Sequence, residues 1–168
     1  MIIKDKLLTE QNLSTIKEHI IYNREIPWYW NDHKVTDDKT NTLVHLVYKD
    51  MKPVSDIFLR VHNYFNTLLD VCTWYRVKIN CTWKEHESRT FGFHRDYGSF
   101  EDPEKFKAMK TAVYYCTTTN GPTVFQDSDD KVDCVENRLL VFDSHRYHSG
   151  VSHTEGNDRR IVINFNYF

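Results

Sequence analysis

Several absences narrow what this 168-residue chain can be. There are only four cysteines, Cys72, Cys81, Cys116 and Cys134, none in a Cys-x-x-Cys pair, so neither a disulfide framework nor a thiolate zinc site is expected. They read as reduced, mostly buried small apolar residues. With five glycines and four prolines, the chain has no Gly/Ser linker, internal repeat or low-complexity tract to mark a boundary, and one domain over 1–168 is expected. No run approaches the roughly 20 apolar residues of a membrane helix. The N-terminus, Met1-Ile-Ile-Lys-Asp-Lys, has charges where a secretory signal has its apolar core, so a cytoplasmic location is expected. No excess of one charge is present either: the net charge is -2 and the pI near 6.5, without global pull toward nucleic acid or acidic membranes. Protein or small-molecule partners are favoured, and nothing in the sequence speaks to oligomeric state.

What is present divides by periodicity. Leu13, Ile16 and Ile20 lie on one helical stripe, and Val54, Ile57, Phe58, Val61, Phe65, Leu68 and Leu69 form a longer one opening near Pro53. Two amphipathic helices are predicted. Between them, the aromatic run Trp28-Tyr29-Trp30 and the polar stretch from Asn31 to Thr42 read as a loop or irregular edge. From Tyr75 the period becomes two: Tyr75, Val77, Ile79, Cys81 and Trp83 alternate with Arg76, Lys78, Asn80, Thr82 and Lys84. Further β-rich segments follow at Lys110–Thr118, Pro122–Gln126, Lys131–Glu136, Arg138–Asp143 and Arg160–Tyr167. The expected fold is mainly β with N-terminal helices, a helical preface over about 1–72 and a jelly-roll core over about 73–168.

His94-Arg95-Asp96 sets an imidazole and a carboxylate two residues apart, which on extended chain project to one side while Arg95 points away. Alone, such a pair recurs by chance on protein surfaces. A distant histidine, His148 of His145-Arg146-Tyr147-His148-Ser149-Gly150, would complete two histidines and one carboxylate on one face of an ion, leaving the opposite positions open. Iron(II) suits that geometry. In the final strand, Ile161, Ile163, Phe165 and Tyr167 alternate with Arg160, Val162, Asn164 and Asn166, so a cation shares a face with two amides. A buried guanidinium needs an anionic partner, and its fork matches a carboxylate.

The ordered pieces Phe93-His94-Arg95-Asp96, Thr111–Tyr115, Gly121–Phe125, Asn137–Phe142, Tyr147–Val151 and Arg160 resemble the prolyl-hydroxylase-like branch of the 2-oxoglutarate- and iron(II)-dependent dioxygenases over the last half of the chain. The resemblance implies a double-stranded β-helix in which His94, Asp96 and His148 bind iron(II), Arg160 binds the 5-carboxylate of 2-oxoglutarate, and Tyr115 assists it. It implies dioxygen as co-substrate, ascorbate as a supporting reductant, and hydroxylation of a peptidyl, including prolyl, or small-molecule substrate coupled to decarboxylation of 2-oxoglutarate to succinate. Asn80 occupies a strand face where relatives place a cosubstrate contact. His145 and His153 compete with His148, and Arg159 with Arg160; the motif order selects His148 and Arg160. Where nucleic-acid-repair members of the superfamily carry a second arginine six positions on, this chain has Asn166, which weakens that reading. Gly121-Pro122 stands where a Gly-Gly pair is common. Tyr97, Trp83 and the Trp28–Trp30 run are candidates for the mouth of the site. A metal-binding cupin-like protein without oxygenase activity is the competing reading, with Arg160 as the discriminator.

Overall fold

The computed structural model describes residues 1–31, 41–96 and 107–168. Among these described residues, eleven strands and two helices run in the order β1 (Ile2–Lys4), α1 (Glu10–Ile20), β2 (Tyr29–Asn31), β3 (Thr42–Lys49), β4 (Lys52–Pro53), α2 (Phe58–Phe65), β5 (Trp74–Trp83), β6 (Lys110–Tyr115), β7 (Thr119–Phe125), β8 (Lys131–Cys134), β9 (Arg138–Asp143), β10 (His148–Gly150) and β11 (Arg159–Tyr167). They form a major antiparallel sheet, β1-β9-β6-β11-β5-β3-β2 with β4 on β3, and a minor sheet, β10-β7-β8.

Alternation along the central strands gives the major sheet two different faces. Val77, Ile79 and Cys81 of β5, Ala112 and Tyr114 of β6, and Ile161, Ile163, Phe165 and Tyr167 of β11 pack with Ile16, Ile20, Val61 and Phe65 from the helices. The opposite face puts Val113, Tyr115, Leu140, Phe142 and Val162 against Phe125, Val132 and Cys134 of the minor sheet. That is the two-sheet jelly roll with helices on one outer face. The apolar filling between the sheets does not extend along their whole length; toward β5 the inner face turns polar and encloses a cavity of about 510 Å³.

The predicted helices are both present, but the second begins at Phe58 rather than near Pro53, because Pro53 pairs with Tyr48 in β4. The helical preface is also less helical than expected: β1 to β4 all fall within it. β3 is the significant addition, since it pairs with β5 and extends the major sheet. The free cysteines agree with expectation except that Cys72 is exposed. Among the described residues no helix is long and apolar enough to cross a membrane.

Candidate metal and anion site

His94 and His148 face each other because their backbones pair. His94 N–H donates to the His148 carbonyl at 3.0 Å, and His148 N–H returns the bond at 2.9 Å. This bridge fastens the segment after β5 onto β10 and sets the two rings 4.9 Å apart. Each Nδ1 donates to a backbone carbonyl two residues earlier, His94 to Gly92 at 3.0 Å and His148 to Arg146 at 3.1 Å. Nδ1–H donation of this kind fixes the tautomer with the lone pair on Nε2, the form a metal ligand requires. Phe142, 4.8 Å from the His148 ring, holds it from below.

Asp96 completes the cluster: one ligand atom from each of His94, Asp96 and His148 lies within 4.8 Å of the others, close enough to share one ion. Its carboxylate is held at both oxygens. Arg76 donates to Oδ1 at 2.9 Å, while Asn166 at 2.9 Å, Thr111 at 3.2 Å and Asn164 at 3.3 Å donate to Oδ2. Arg76 also donates to Asn166 Oδ1 at 3.1 Å, closing a triangle on the carboxylate. Burial pushes the Asp96 carboxyl up, but Arg76, His148, the Asn166 hydrogen bond and Lys78 outweigh it and hold it well below the usual carboxylate range. It is therefore an anion at any working pH. The sequence has no arginine at position 166, yet Arg76, the register partner of Asn166 on β5, supplies a guanidinium to this carboxylate from the neighbouring strand.

Arg160 lines the same cavity and is 5% exposed. Its Nε donates to the Gly121 carbonyl at 2.9 Å and a terminal nitrogen to Thr123 Oγ1 at 3.3 Å. Both partners are neutral, and no ion pair joins Arg160 to a described carboxylate. Gly121 itself has no room for a side chain, since a Cβ there would meet the Val151 carbonyl at 2.5 Å. Arg159, by contrast, is exposed and donates to the Ile21 carbonyl at 3.3 Å.

The other sequence candidates separate. Asn80 lines the cavity. Tyr115 does not: fully buried beneath Arg160, its ring centroid 5.7 Å from the guanidinium carbon, it donates its hydroxyl to Thr123 at 2.8 Å. Burial pushes its phenol up to about 12, partly opposed by Arg160 and the Thr123 hydrogen bond. His145 is exposed, and His153 is buried with Nε2 against the Asn157 carbonyl at 3.0 Å, so neither joins the cluster. Arg95 does not point away as expected; it borders the cavity with its guanidinium 4.8 Å from the Tyr147 ring centroid. The reason is that only His94 of this segment is bridged, so strict strand alternation ends there. Of the mouth candidates, Tyr97 lies outside the described residues, Trp83, Tyr29 and Trp30 are exposed without bordering the cavity, and Trp28 packs on the helix-side core.

Residues the motifs did not single out include Arg76, Lys78, Thr111 and Thr123. Lys78 borders the cavity; burial and the nearby Arg76 bring its ammonium down to about 8, against the pull of Asp96. Two cavity-lining residues each carry a buried polar atom with no hydrogen-bond partner among the described residues, Thr82 Oγ1 and Asn164 Oδ1. Such orphans are rare in folded proteins.

No protein-family model and no curated protein sequence matches the chain. Solved structures do. A 2OG-Fe(II) oxygenase-family oxidoreductase from Burkholderia pseudomallei is similar at 15% identity and a TM-score of 0.70, with 99% of this chain and 84% of that one covered. A prolyl hydroxylase from Trichoplax adhaerens, in complex with a hypoxia inducible factor peptide fragment, is similar at 12% identity and a TM-score of 0.66, covering 99% and 82%. HygX from Streptomyces hygroscopicus, with nickel, 2-oxoglutarate and hygromycin B bound, follows at 11% identity and 0.61, covering 99% and 81%. The chain thus has the jelly-roll fold of the 2-oxoglutarate and iron(II) oxygenases, prolyl hydroxylases among them.

Proposed function

We propose that this protein is an iron(II)- and 2-oxoglutarate-dependent dioxygenase, a hydroxylase of a peptidyl or small-molecule substrate. The observation that carries the reading is the union, in one cavity, of the His94, Asp96 and His148 donors with a buried arginine that faces no described carboxylate. The donors suit iron(II): two imidazoles whose Nδ1 is engaged by a backbone carbonyl, and one carboxylate. Bound there, the metal would supply activation of dioxygen, coupled to oxidative decarboxylation of 2-oxoglutarate to succinate and hydroxylation of the substrate.

The protein's part is placement and charge. Arg160, held at Nε by Gly121 and steadied from below by Thr123 and Tyr115, presents its remaining N–H groups to the distal carboxylate of 2-oxoglutarate. Tyr115 therefore acts through Thr123 rather than by direct contact. Thr82, register partner of Arg160, and Asn80, register partner of Val162, line the path from the arginine toward the metal donors, and the unpaired Thr82 hydroxyl is placed to join the same carboxylate. Arg76, Thr111 and Asn166 hold Asp96 ionised and oriented. The unpaired cysteines suit a reducing cytoplasmic compartment.

The test is anaerobic addition of iron(II) and 2-oxoglutarate, followed by visible absorption of the metal–keto acid complex and, in air, by succinate release. His94→Ala, Asp96→Ala and His148→Ala are expected to lose metal binding and the absorption band together. Arg160→Ala is expected to keep the metal while losing 2-oxoglutarate affinity on the order of 2–5 kcal/mol, with Arg159→Ala unchanged. A parent protein that binds metal but no 2-oxoglutarate would instead be a metal-binding cupin.

A further inference from the structure

The cavity holds more positive charge than metal and cosubstrate use. Its described lining contributes Arg76, Lys78, Arg95 and Arg160 against a single carboxylate, Asp96. An iron(II) ion and a 2-oxoglutarate dianion neutralise each other, so their arrival leaves the excess in place. Such an excess attracts a further anion.

The four cations are not equivalent. Arg76 is spent on Asp96, and Arg160 is assigned to the distal carboxylate. Lys78 makes no hydrogen bond or ion pair with any described residue. It lies four residues from Thr82, the register partner of Arg160, which on a strand is about 13 Å. Lys78 and Arg160 thus spring from separate positions along the cavity wall. Lys78 instead pairs in register with Asn164, whose Nδ2 reaches Asp96 at 3.3 Å, so it stands beside the metal donors. Asn164 is 7% exposed and borders the cavity, and its buried Oδ1 has no hydrogen-bond partner among the described residues. A free cation and a free acceptor therefore stand side by side next to the metal position.

We propose that Lys78 and Asn164 form the substrate subsite, and that the substrate is an anion whose carboxylate or phosphate pairs with Lys78 while an adjacent N–H or O–H donates to Asn164 Oδ1. The proposal rests on the oxygenase reading and names its substrate class. A neutral prolyl side chain alone would leave both groups unmet, whereas a small acid, or a peptide with an acidic or phosphorylated residue at the reacting position, satisfies them.

The test uses manganese-loaded protein, with and without saturating 2-oxoglutarate, titrated separately with acetate and with inorganic phosphate, and reads paramagnetic relaxation of the probe's own nuclei. The expected result is saturable binding of at least one anion by the parent, retention in Lys78→Arg, at least tenfold weakening in Lys78→Met, and 2-oxoglutarate affinity within twofold of the parent in both variants. The two probes distinguish a carboxylate from a phosphate preference. Succinate release stimulated by a glutamyl peptide or by free glutamate, each against its neutral amide counterpart, distinguishes a peptide-borne from a free acid. No saturable binding of either anion, equal binding by Lys78→Met, or a tenfold loss of 2-oxoglutarate affinity in Lys78→Met would each overturn the proposal. Failure of the parent to bind 2-oxoglutarate would refute the oxygenase reading separately, because anion binding at Lys78 is also measured without the cosubstrate.

Discussion

The two faces of strand β11 obey different rules. On the helix side, Ile161, Ile163, Phe165 and Tyr167 are buried among aliphatic and aromatic neighbours. On the cavity side, Arg160, Asn164 and Asn166 are also buried; Asn166 is fully hydrogen-bonded, but Asn164 Oδ1 has no partner among the described residues and Arg160 meets only neutral acceptors. Free energy gained by apolar burial on one face therefore offsets the cost of holding polar groups out of water on the other. The proposed metal and anion site requires the second face, and the first makes it stable enough to persist.

The largest effect that sharpens this contrast is expected on the helix side. Phe165 is fully buried, with its ring centroid 4.8 Å from Phe65 and 5.6 Å from Trp74. Phe165→Ala should cost about 3–5 kcal/mol in urea unfolding, the usual range for a large aromatic removed from a packed core. A cost under about 1 kcal/mol would mean that this face does not carry the fold.

The next effect concerns how the helix side treats the few polar atoms it contains. Asn137 has a left-handed backbone, φ 63, and its side chain accepts from Leu8 N–H at 2.9 Å and the Tyr114 hydroxyl at 3.0 Å while donating to the Leu8 carbonyl at 2.9 Å. Every polar atom of the amide has a partner, unlike Asn164 across the sheet. Asn137→Ala leaves three buried groups unpaired and places alanine at a positive φ, so about 2–3 kcal/mol of stability should be lost. Iron binding should be preserved in the folded fraction. An unaltered urea midpoint would show that the segment before α1 is not tied down by this amide.

The same contrast explains what could be seen in advance. β5 and β11 were legible because an apolar and a polar set alternate strictly, and the meeting of His94, Asp96 and His148 because their spacing is local or sits in a recognisable string. β3 was not, since burial there follows no clean alternation. His45 is buried, with Nδ1 against the Pro27 carbonyl at 2.8 Å and Nε2 against Ser55 Oγ at 2.7 Å, and the pairing with β5 slips between Leu46 and Tyr48. Arg76 and Lys78 were visible as a polar strand face, but a face toward solvent and a face toward a cavity look identical until the second sheet is in place. Their clustering with Arg95 and Arg160 is a long-range property that no window of sequence contains.

The smallest effect is expected at Lys78, and its sign is opposite to the others. In protein free of metal and 2-oxoglutarate, the ammonium has a folded value of about 8 against 10.5 in ordinary surroundings, lowered first by burial and then by Arg76, with Asp96 opposing. The folded state therefore binds this proton less tightly than the unfolded chain. Below about pH 8 both states carry the proton and folding bears the full penalty; between about 8 and 10.5 the unfolded state retains more of it, and stability rises with pH; above 10.5 the penalty is gone. Lys78→Met removes the charge while keeping most of the aliphatic stem, so it should be more stable than the parent at pH 7. The gain should be about 1 kcal/mol, because the ammonium opens into a solvated cavity that screens it. The difference between the two proteins should shrink across that window as Lys78 loses its proton in the folded parent. Urea unfolding of both at pH 7, 9 and 10.5 measures it. A variant less stable than the parent at pH 7, or a gap that stays constant across the three values, would show that Lys78 is already compensated within the folded chain.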